Sequence, residues 1–142
     1  MTALFSVAVD AVLPASPHRV FEALTDPDLY SRWMGPEGST TSVRTMDAVP
    51  GGRFAITVTM PNGFSVDIEG EYLTVEPPTR LSHTWMVEGD ETETTVTIEL
   101  RPTRNGTQLV LVHDGFTDTT DRDQNDGGWR HQLERLASML TS

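Results

Sequence analysis

A chain of 142 residues without cysteine, carrying a net charge of −11, fits one domain over residues 1–142 whose core needs no covalent cross-link. The missing cysteines exclude disulfides, thiolate metal sites and cysteine nucleophiles, and the acidic charge argues against nucleic acids and anionic membrane surfaces as partners. Residues 1–20 lack a basic segment followed by an apolar run, and no stretch approaches the roughly 20 apolar residues that span a bilayer, so we expect a cytoplasmic protein.

The first predicted element is a strand that ends near Pro14. Its apolar residues alternate with polar ones and would share one face of a sheet: Phe5, Val7, Val9, Ala11 and Leu13. Ser16-Pro17 and Asp26-Pro27 each place a capping side chain before a proline, which is a helix-start signal. Two short helices are therefore predicted before Gly35-Pro36 stops the pattern.

From about Thr40 onward the chain alternates with period two again, which predicts about six further strands. Asn62-Gly63 and Asn105-Gly106 are typical of two-residue hairpin turns, and strands joined by such turns are antiparallel neighbours. The strand that follows the first turn is predicted to direct four apolar residues to one face: Phe64, Val66, Ile68 and Tyr72.

The last predicted element is a long helix with one apolar stripe: Trp129, Leu133, Leu136 and Leu140. Gly127-Gly128 disfavours helix, so the helix begins either near Thr120 or only at about Gly127. We interpret the acidic run Asp118–Asp126 as a solvated loop with helix-start charges. It does not fit a calcium loop, because Asp126 takes the place of the turn glycine and Gln132 that of the bidentate glutamate.

These elements predict an α+β fold: a curved antiparallel sheet of about six to seven strands wrapped on a long C-terminal helix, with two short helices after the first strand. A single helix on a twisted sheet leaves a wedge of space, so we expect an internal cavity. The residues predicted to line it are Trp33, Phe54, Ile56, Val58, Val66, Ile68, Tyr72, His83, Trp85, Ile98, Leu111, His113, Trp129 and Leu133. Trp33 is expected on the short helix pair at the mouth of this cavity, and for the tryptophans both cavity lining and plain core packing stay open.

Five segments resemble one known family when they are taken in order. They are VFEALTDPDLYSRWMGP (20–36), PGGRF (50–54), GEYLTVEPPTRLSHTW (70–85), GTQLVLVHDGF (106–116) and GWRHQLERLASML (128–140). Together they resemble the SRPBCC (START and birch-pollen-allergen-like) superfamily, in the branch similar to the C-terminal domain of the activator of heat shock protein 90 ATPase. The resemblance implies the helix-grip fold and a chaperone ATPase as one candidate partner.

The four histidines lack the spacing of a metal site, and we expect neither metal nor cofactor. His113 shares the inward face of its strand, where it is either a polar anchor or general base, or a half-buried histidine bonded to a backbone carbonyl or to Asp114. His83 has the same two interpretations, and His18 and His131 receive no role. The chain has no lysine, which excludes Schiff-base chemistry, and no G-x-S-x-G motif.

The leading hypothesis is a non-enzymatic domain that binds a small apolar or aromatic molecule in its cavity. One alternative is an enzyme of the cyclase or dehydratase type, as the resemblance allows, with His113 and Tyr72 as an acid–base pair. Another is a module that binds a chaperone ATPase through the acidic surface. The sequence leaves a homodimer through a sheet edge or a helix face open.

Overall fold

The computed structural model describes residues 4–141 and contains one seven-stranded sheet and three helices. In chain order the elements are β1 (Phe5–Leu13), α1 (Pro17–Thr25), α2 (Pro27–Trp33), β2 (Thr40–Met46), β3 (Arg53–Thr59), β4 (Ser65–Glu76), β5 (Arg80–Val87), β6 (Glu93–Thr103), β7 (Gly106–Phe116) and α3 (Thr119–Thr141). The strand order is β1-β7-β6-β5-β4-β3-β2, with every neighbouring pair antiparallel. The predicted α+β helix-grip arrangement is confirmed. Within residues 4–141, no helix combines the length and apolar character needed to cross a membrane.

The two short helices begin where the sequence predicts them. Ser16 Oγ accepts a hydrogen bond from the backbone N–H of Arg19 at 3.3 Å, and Pro17 opens α1. Asp26 Oδ1 accepts from the backbone N–H groups of Asp28 and Leu29 at 2.9 and 3.1 Å, and a proline again takes the first helical position. Each cap satisfies N–H groups that have no partner inside the helix.

The inward face of the sheet is apolar as predicted. Ile56 pairs with Ile68, and Ile98 pairs with Leu111; all four are at most 8% exposed. The apolar stripe of α3 is buried on the same side, so the core lies between this helix and the concave face of the sheet. Burial of these apolar side chains between the helix and the sheet is the main favourable contribution to the free energy of folding.

The first Asn-Gly hairpin differs from the prediction. Gly63 N–H donates to the Met60 carbonyl at 2.9 Å, and Met60 N–H donates to the Phe64 carbonyl at 2.8 Å, so three residues form the loop, not two. Pro61 suits the first central position of a turn, and Gly63 takes a φ of +89°. Phe64 flanks this loop just before β4 and is 64% exposed, so its predicted inward position is wrong.

The second hairpin loop is displaced by one residue. Thr103 pairs with Gly106, which leaves Arg104 and Asn105 as the loop and places Gly106 in β7. A Cβ atom on Gly106 would lie 2.1 Å from the carbonyl oxygen of Leu13. The glycine therefore allows the close approach of β1 and is not a central residue of the turn.

Helix α3 begins at Thr119 and continues through Gly127-Gly128. Asp118 Oδ1 accepts from the backbone N–H groups of Thr120 at 2.6 Å and Asp121 at 3.3 Å, which caps the helix. The interpretation of Asp118–Asp126 as a loop is wrong, because this run is the cap and the first turns of α3. Each glycine weakens a helix by about 1 kcal/mol relative to alanine, and the packing of the later apolar stripe offsets that local preference.

Candidate ligand-binding site

An open cavity of about 350 Å³ lies between α3 and the sheet, and we call it the apolar chamber. The sheet contributes the aliphatic and aromatic wall: Val58, Met60, Val66, Ile68 and Trp85. The opposite wall comes from α3: Gln124, Asn125, Gly128, Trp129 and Gln132. The loop after α2 closes one side with Met34, Gly35 and Pro36. None of the described residues in this wall carries a charge.

A second cavity of about 230 Å³ adjoins the first, and we call it the polar chamber. Trp85, Gln124 and Asn125 line both chambers. Seven further residues complete the wall of the polar chamber, and five of them carry a hydroxyl or carboxyl group: Val87, Asp90, Thr92, Thr94, Phe116, Thr117 and Asp121. An apolar compartment with a few polar groups at one end is the usual composition of a small-molecule site.

Two residues of α3 fix the loop that closes the apolar chamber. Gln132 Oε1 accepts from the backbone N–H of Gly35 at 2.9 Å. Arg135 donates to the carbonyl oxygens of Gly35 at 2.9 Å and Arg32 at 3.0 Å. Because both sides of the Gly35 backbone are held, the loop and the helix form one continuous wall.

A buried chain of hydrogen bonds connects the two tryptophans of the apolar chamber. The Trp129 indole N–H donates to His113 Nδ1 at 2.9 Å, so the proton of the neutral imidazole is on Nε2. That Nε2–H donates to Thr94 Oγ1 at 2.7 Å, and the Thr94 hydroxyl donates to the Trp85 carbonyl oxygen at 3.0 Å. The chain holds the Trp129 ring and the Trp85 backbone in fixed positions at the chamber wall.

His113 is fully buried, and its ring lies against Trp85, Phe116 and Trp129. Burial, with a smaller contribution from nearby His83, lowers the pKa of His113 to about 3. Both ring nitrogens are engaged and the ring is neutral at pH 7. His113 therefore acts as a positioning residue for Trp129. Its hydrogen-bond partners are Thr94 and Trp129, not the predicted backbone carbonyl or Asp114.

The other end of the sheet is closed by the aromatic cluster, which we define as Tyr30, Phe54, Tyr72 and His83. The Phe54 ring centroid lies 4.5 Å from that of His83, 5.8 Å from that of Tyr30 and 6.1 Å from that of Tyr72. Burial raises the pKa values of Tyr30 and Tyr72. The rings fill the space under the sheet, so this end has a packed core.

The polar atoms of the aromatic cluster are bonded unequally. His83 Nδ1–H donates to the Thr84 carbonyl at 2.9 Å, and burial lowers the pKa of His83 to about 4 even though this bond acts in the opposite direction. The Tyr30 hydroxyl is buried and has no hydrogen-bond partner among the described residues. A buried hydroxyl without a partner destabilises the folded state.

The predicted site residues fall into two groups. Those that line the apolar chamber are Val58, Val66, Ile68, Trp85 and Trp129. Those packed in the core are Trp33, Phe54, Ile56, Tyr72, His83, Ile98, Leu111, His113 and Leu133, the last also lining a groove between β1 and α3.

Trp33 does not lie at the mouth of the cavity. It is 1% exposed, and its indole N–H donates to the Ala23 carbonyl at 2.9 Å, which ties α2 to α1. The predicted position at the mouth is therefore wrong, and of the two roles left open Trp33 has core packing, because the two helices pack on each other through this ring.

Sequence reasoning missed eight wall residues, six of which are glycine, proline or polar amides and two of which are methionines. They are Met34, Gly35, Pro36, Met60, Gln124, Asn125, Gly128 and Gln132. Gln132 follows Gly128 by one helical turn on the inward side of α3, so a polar residue beside the apolar stripe was the available signal. Within residues 4–141, no group of three or more His, Asp or Glu side chains is placed to hold a metal ion.

A family model described as "Activator of Hsp90 ATPase homolog 1-like protein" matches residues 14–141. The chain belongs to this family. The resemblance drawn from the five sequence segments is thereby confirmed, and we refer to the chain below as an AHSA1-like domain. None of the curated proteins matches this sequence.

Solved structures of similar proteins share the fold. Protein CV1439 from Chromobacterium violaceum is 28% identical with a TM-score of 0.91, over 96% of this chain and 97% of that one. The AHSA1 protein from Silicibacter pomeroyi is 22% identical with a TM-score of 0.87, over 96% and 98% of the two chains, which shows the common fold alone. DynU16, described as a protein in the dynemicin biosynthetic locus, is 27% identical with a TM-score of 0.77; the match covers 96% of this chain and 47% of DynU16.

Proposed function

We propose that this AHSA1-like domain binds a small apolar or aromatic molecule in the apolar chamber. The observation that carries the proposal is an open cavity of about 350 Å³ whose wall, among the described residues, has no charge. Small-molecule sites have volumes of about 300–1,000 Å³ and mostly apolar walls. The volume is at the lower end of that range and favours a compact ligand over a long acyl chain.

His113 and Tyr72 were suggested as an acid–base pair, and their hydrogen bonds and burial favour a binding domain over an enzyme. His113 uses one nitrogen to accept from Trp129 and the other to donate to Thr94, so it has no free lone pair for a substrate proton. Tyr72 is 1% exposed in the aromatic cluster, away from the wall of either chamber. A general acid–base pair needs both groups within reach of a substrate.

The relation to DynU16 gives secondary support. That protein is described by its place in a biosynthetic locus, and a small organic molecule as ligand agrees with such a setting. Cytoplasmic location, contact with a chaperone ATPase and homodimer formation remain predictions from the sequence.

The test uses two neighbouring glycines of α3 as a matched pair. An added Cβ at Gly127 or at Gly128 meets no other atom within 4 Å, but only Gly128 lines the apolar chamber. Gly128→Leu should place its side chain in the chamber, whereas Gly127→Leu should not. Both changes should stabilise the helix by up to about 1 kcal/mol, because leucine is the better helix former.

Binding is followed with a panel of neutral aromatic and alicyclic compounds, by melting temperature and by tryptophan fluorescence. A ligand at about a hundredfold excess over its dissociation constant should raise the free energy of unfolding by about 2.7 kcal/mol. Gly128→Leu should lose at least about tenfold in affinity, which corresponds to about 1.4 kcal/mol, and Gly127→Leu should bind as the parent does. Equal affinity in both variants, or no binding by any compound, would contradict the proposal.

A further inference from the structure

The wall of the polar chamber has carboxylates and, among residues 4–141, no basic side chain. Asp90 comes from the loop between β5 and β6, and Asp121 comes from the first turn of α3. One oxygen of Asp90 accepts from the Thr92 backbone N–H at 2.9 Å, which fixes the orientation of this carboxylate. Two carboxylates on separate segments, both exposed to solvent, thus border one small cavity.

Two aromatic rings also border the polar chamber, beside its hydroxyl and amide groups. Trp85 and Phe116 both line the polar chamber, and Trp85 is shared with the apolar chamber. The face of an aromatic ring attracts cations, most strongly for tryptophan. Carboxylates combined with aromatic rings form an environment that suits an ammonium group and disfavours an anion.

The arginines of α3 are bound elsewhere and do not neutralise this chamber. Arg122 pairs with Asp123 at 2.7 Å and lies over the Phe5 ring, and Arg130 pairs with Asp126 at 2.6 Å. Arg135 is held by the carbonyls of the loop after α2. With no lysine in the chain and a net charge of −11, the surrounding field also favours cations.

We infer that the ligand of this domain is an amine: its ammonium group lies in the polar chamber between Asp90 and Asp121, and its compact apolar body lies in the apolar chamber. The inference rests on the proposed function and narrows its ligand class. Carboxylates and phosphate esters with the same body are excluded by repulsion from the two aspartates.

The first experiment compares three compounds that share one body: naphthylethylamine, naphthylethanol and naphthylacetate. Titration calorimetry of the full chain at pH 7 should give an affinity for the amine at least about fivefold above that for the alcohol, and no measurable binding of the acid. Raising NaCl from about 50 mM to about 500 mM should lower the affinity for the amine and leave the affinity for the alcohol unchanged, because salt screens exposed charges.

The second experiment removes the charges one at a time. Asp90→Asn and Asp121→Asn should each lower the affinity for the amine by about threefold to fivefold and change that for the alcohol by less than about twofold. Glu22→Gln is the matched control, because it removes one negative charge from an exposed position on α1, which lines neither chamber.

The outcomes separate the two claims. Equal affinities for amine and alcohol, or binding of the acid as tight as that of the amine, would overturn the inference and leave the proposed function standing. Binding of none of the three compounds would overturn both. If Glu22→Gln lowered the affinity for the amine as much as Asp90→Asn, the inference would also be overturned, since the effect would then come from the overall charge of the protein.

Discussion

The aromatic cluster and the apolar chamber lie under the same concave sheet, yet one is filled and the other is open. At the filled end α2 adds Tyr30 beneath Phe54, so rings meet from two sides. At the open end α3 presents Gly128, which has no side chain, and only the loop 34–36 covers the gap. The comparison teaches that the second helix and the size of the facing side chains decide where this fold keeps room for a ligand.

The largest expected contrast comes from truncating one residue in each region. Phe54→Ala should lower the free energy of unfolding by about 3–5 kcal/mol, because it removes a 1% exposed ring with contacts on several sides. Met60→Ala, at the wall of the open chamber, should cost less than about 1 kcal/mol. Urea unfolding measures both. Similar losses would mean that the chamber wall is packed as tightly as the aromatic cluster.

Lowering the pH should destabilise the folded protein through two buried histidines, His83 in the aromatic cluster and His113 behind the apolar chamber. An unfolded histidine binds a proton below about pH 6.5, whereas His83 and His113 in the folded state stay neutral down to about pH 4 and 3. The unfolded state thus binds more protons in this window, so the free energy of unfolding falls as the pH falls from about 6.5 toward 4. Each histidine should contribute a loss of about 2 kcal/mol at pH 5.

Variants separate the two histidine contributions. His113→Leu should remove about half of the pH dependence between pH 7 and pH 5, whatever its effect on stability at pH 7. His18→Gln is the control, because it removes a histidine that is exposed on α1 and lies outside the buried core. If His113→Leu kept the full pH dependence, the assignment of this loss to buried neutral histidines would be wrong.

The last comparison is between two buried hydroxyl groups, one without and one with a hydrogen-bond partner. Tyr30→Phe, which removes a hydroxyl without a partner, should be neutral or should stabilise the protein by about 1 kcal/mol. Thr94→Val should cost about 1–3 kcal/mol, because it leaves the His113 Nε2–H without its acceptor. Thermal unfolding of the two variants measures the difference. A loss in Tyr30→Phe as large as in Thr94→Val would show that the Tyr30 hydroxyl is bonded.

Most of the fold was predictable, because alternation with period two and the capping residues act locally. The inward position of Ile56, Ile68, Ile98 and Leu111 follows from parity alone. The start of α3 did not follow from local preference, since two glycines in its middle oppose helix and only packing of the later stripe settles the question. The lengths of the turns did not follow from local sequence either, because the loop at Gly63 has three residues where Asn-Gly predicted two.

The site was predictable only in part, because parity selects a face of the sheet but not a position along it. Val66 and Phe54 both face inward, but Phe54 is stacked on His83 while Val66 borders the open chamber. Phe54 contacts other rings and Val66 borders the chamber beside Gly128 because of residues that lie far away in the sequence. The bonds of His113 depended likewise on Thr94 and Trp129, which no local pattern connects.

The contacts of Gln132 and Arg135 with Gly35 join positions that are 97 and 100 residues apart in the chain. During synthesis on the ribosome, the loop after α2 emerges long before the segment of α3 that fixes it. The apolar wall of the chamber therefore stays uncovered until nearly all of the described chain has been translated. The apolar side chains of β3, β4 and β5 at the chamber are made before the α3 wall that covers them, so the chamber is among the last parts of the domain to be completed.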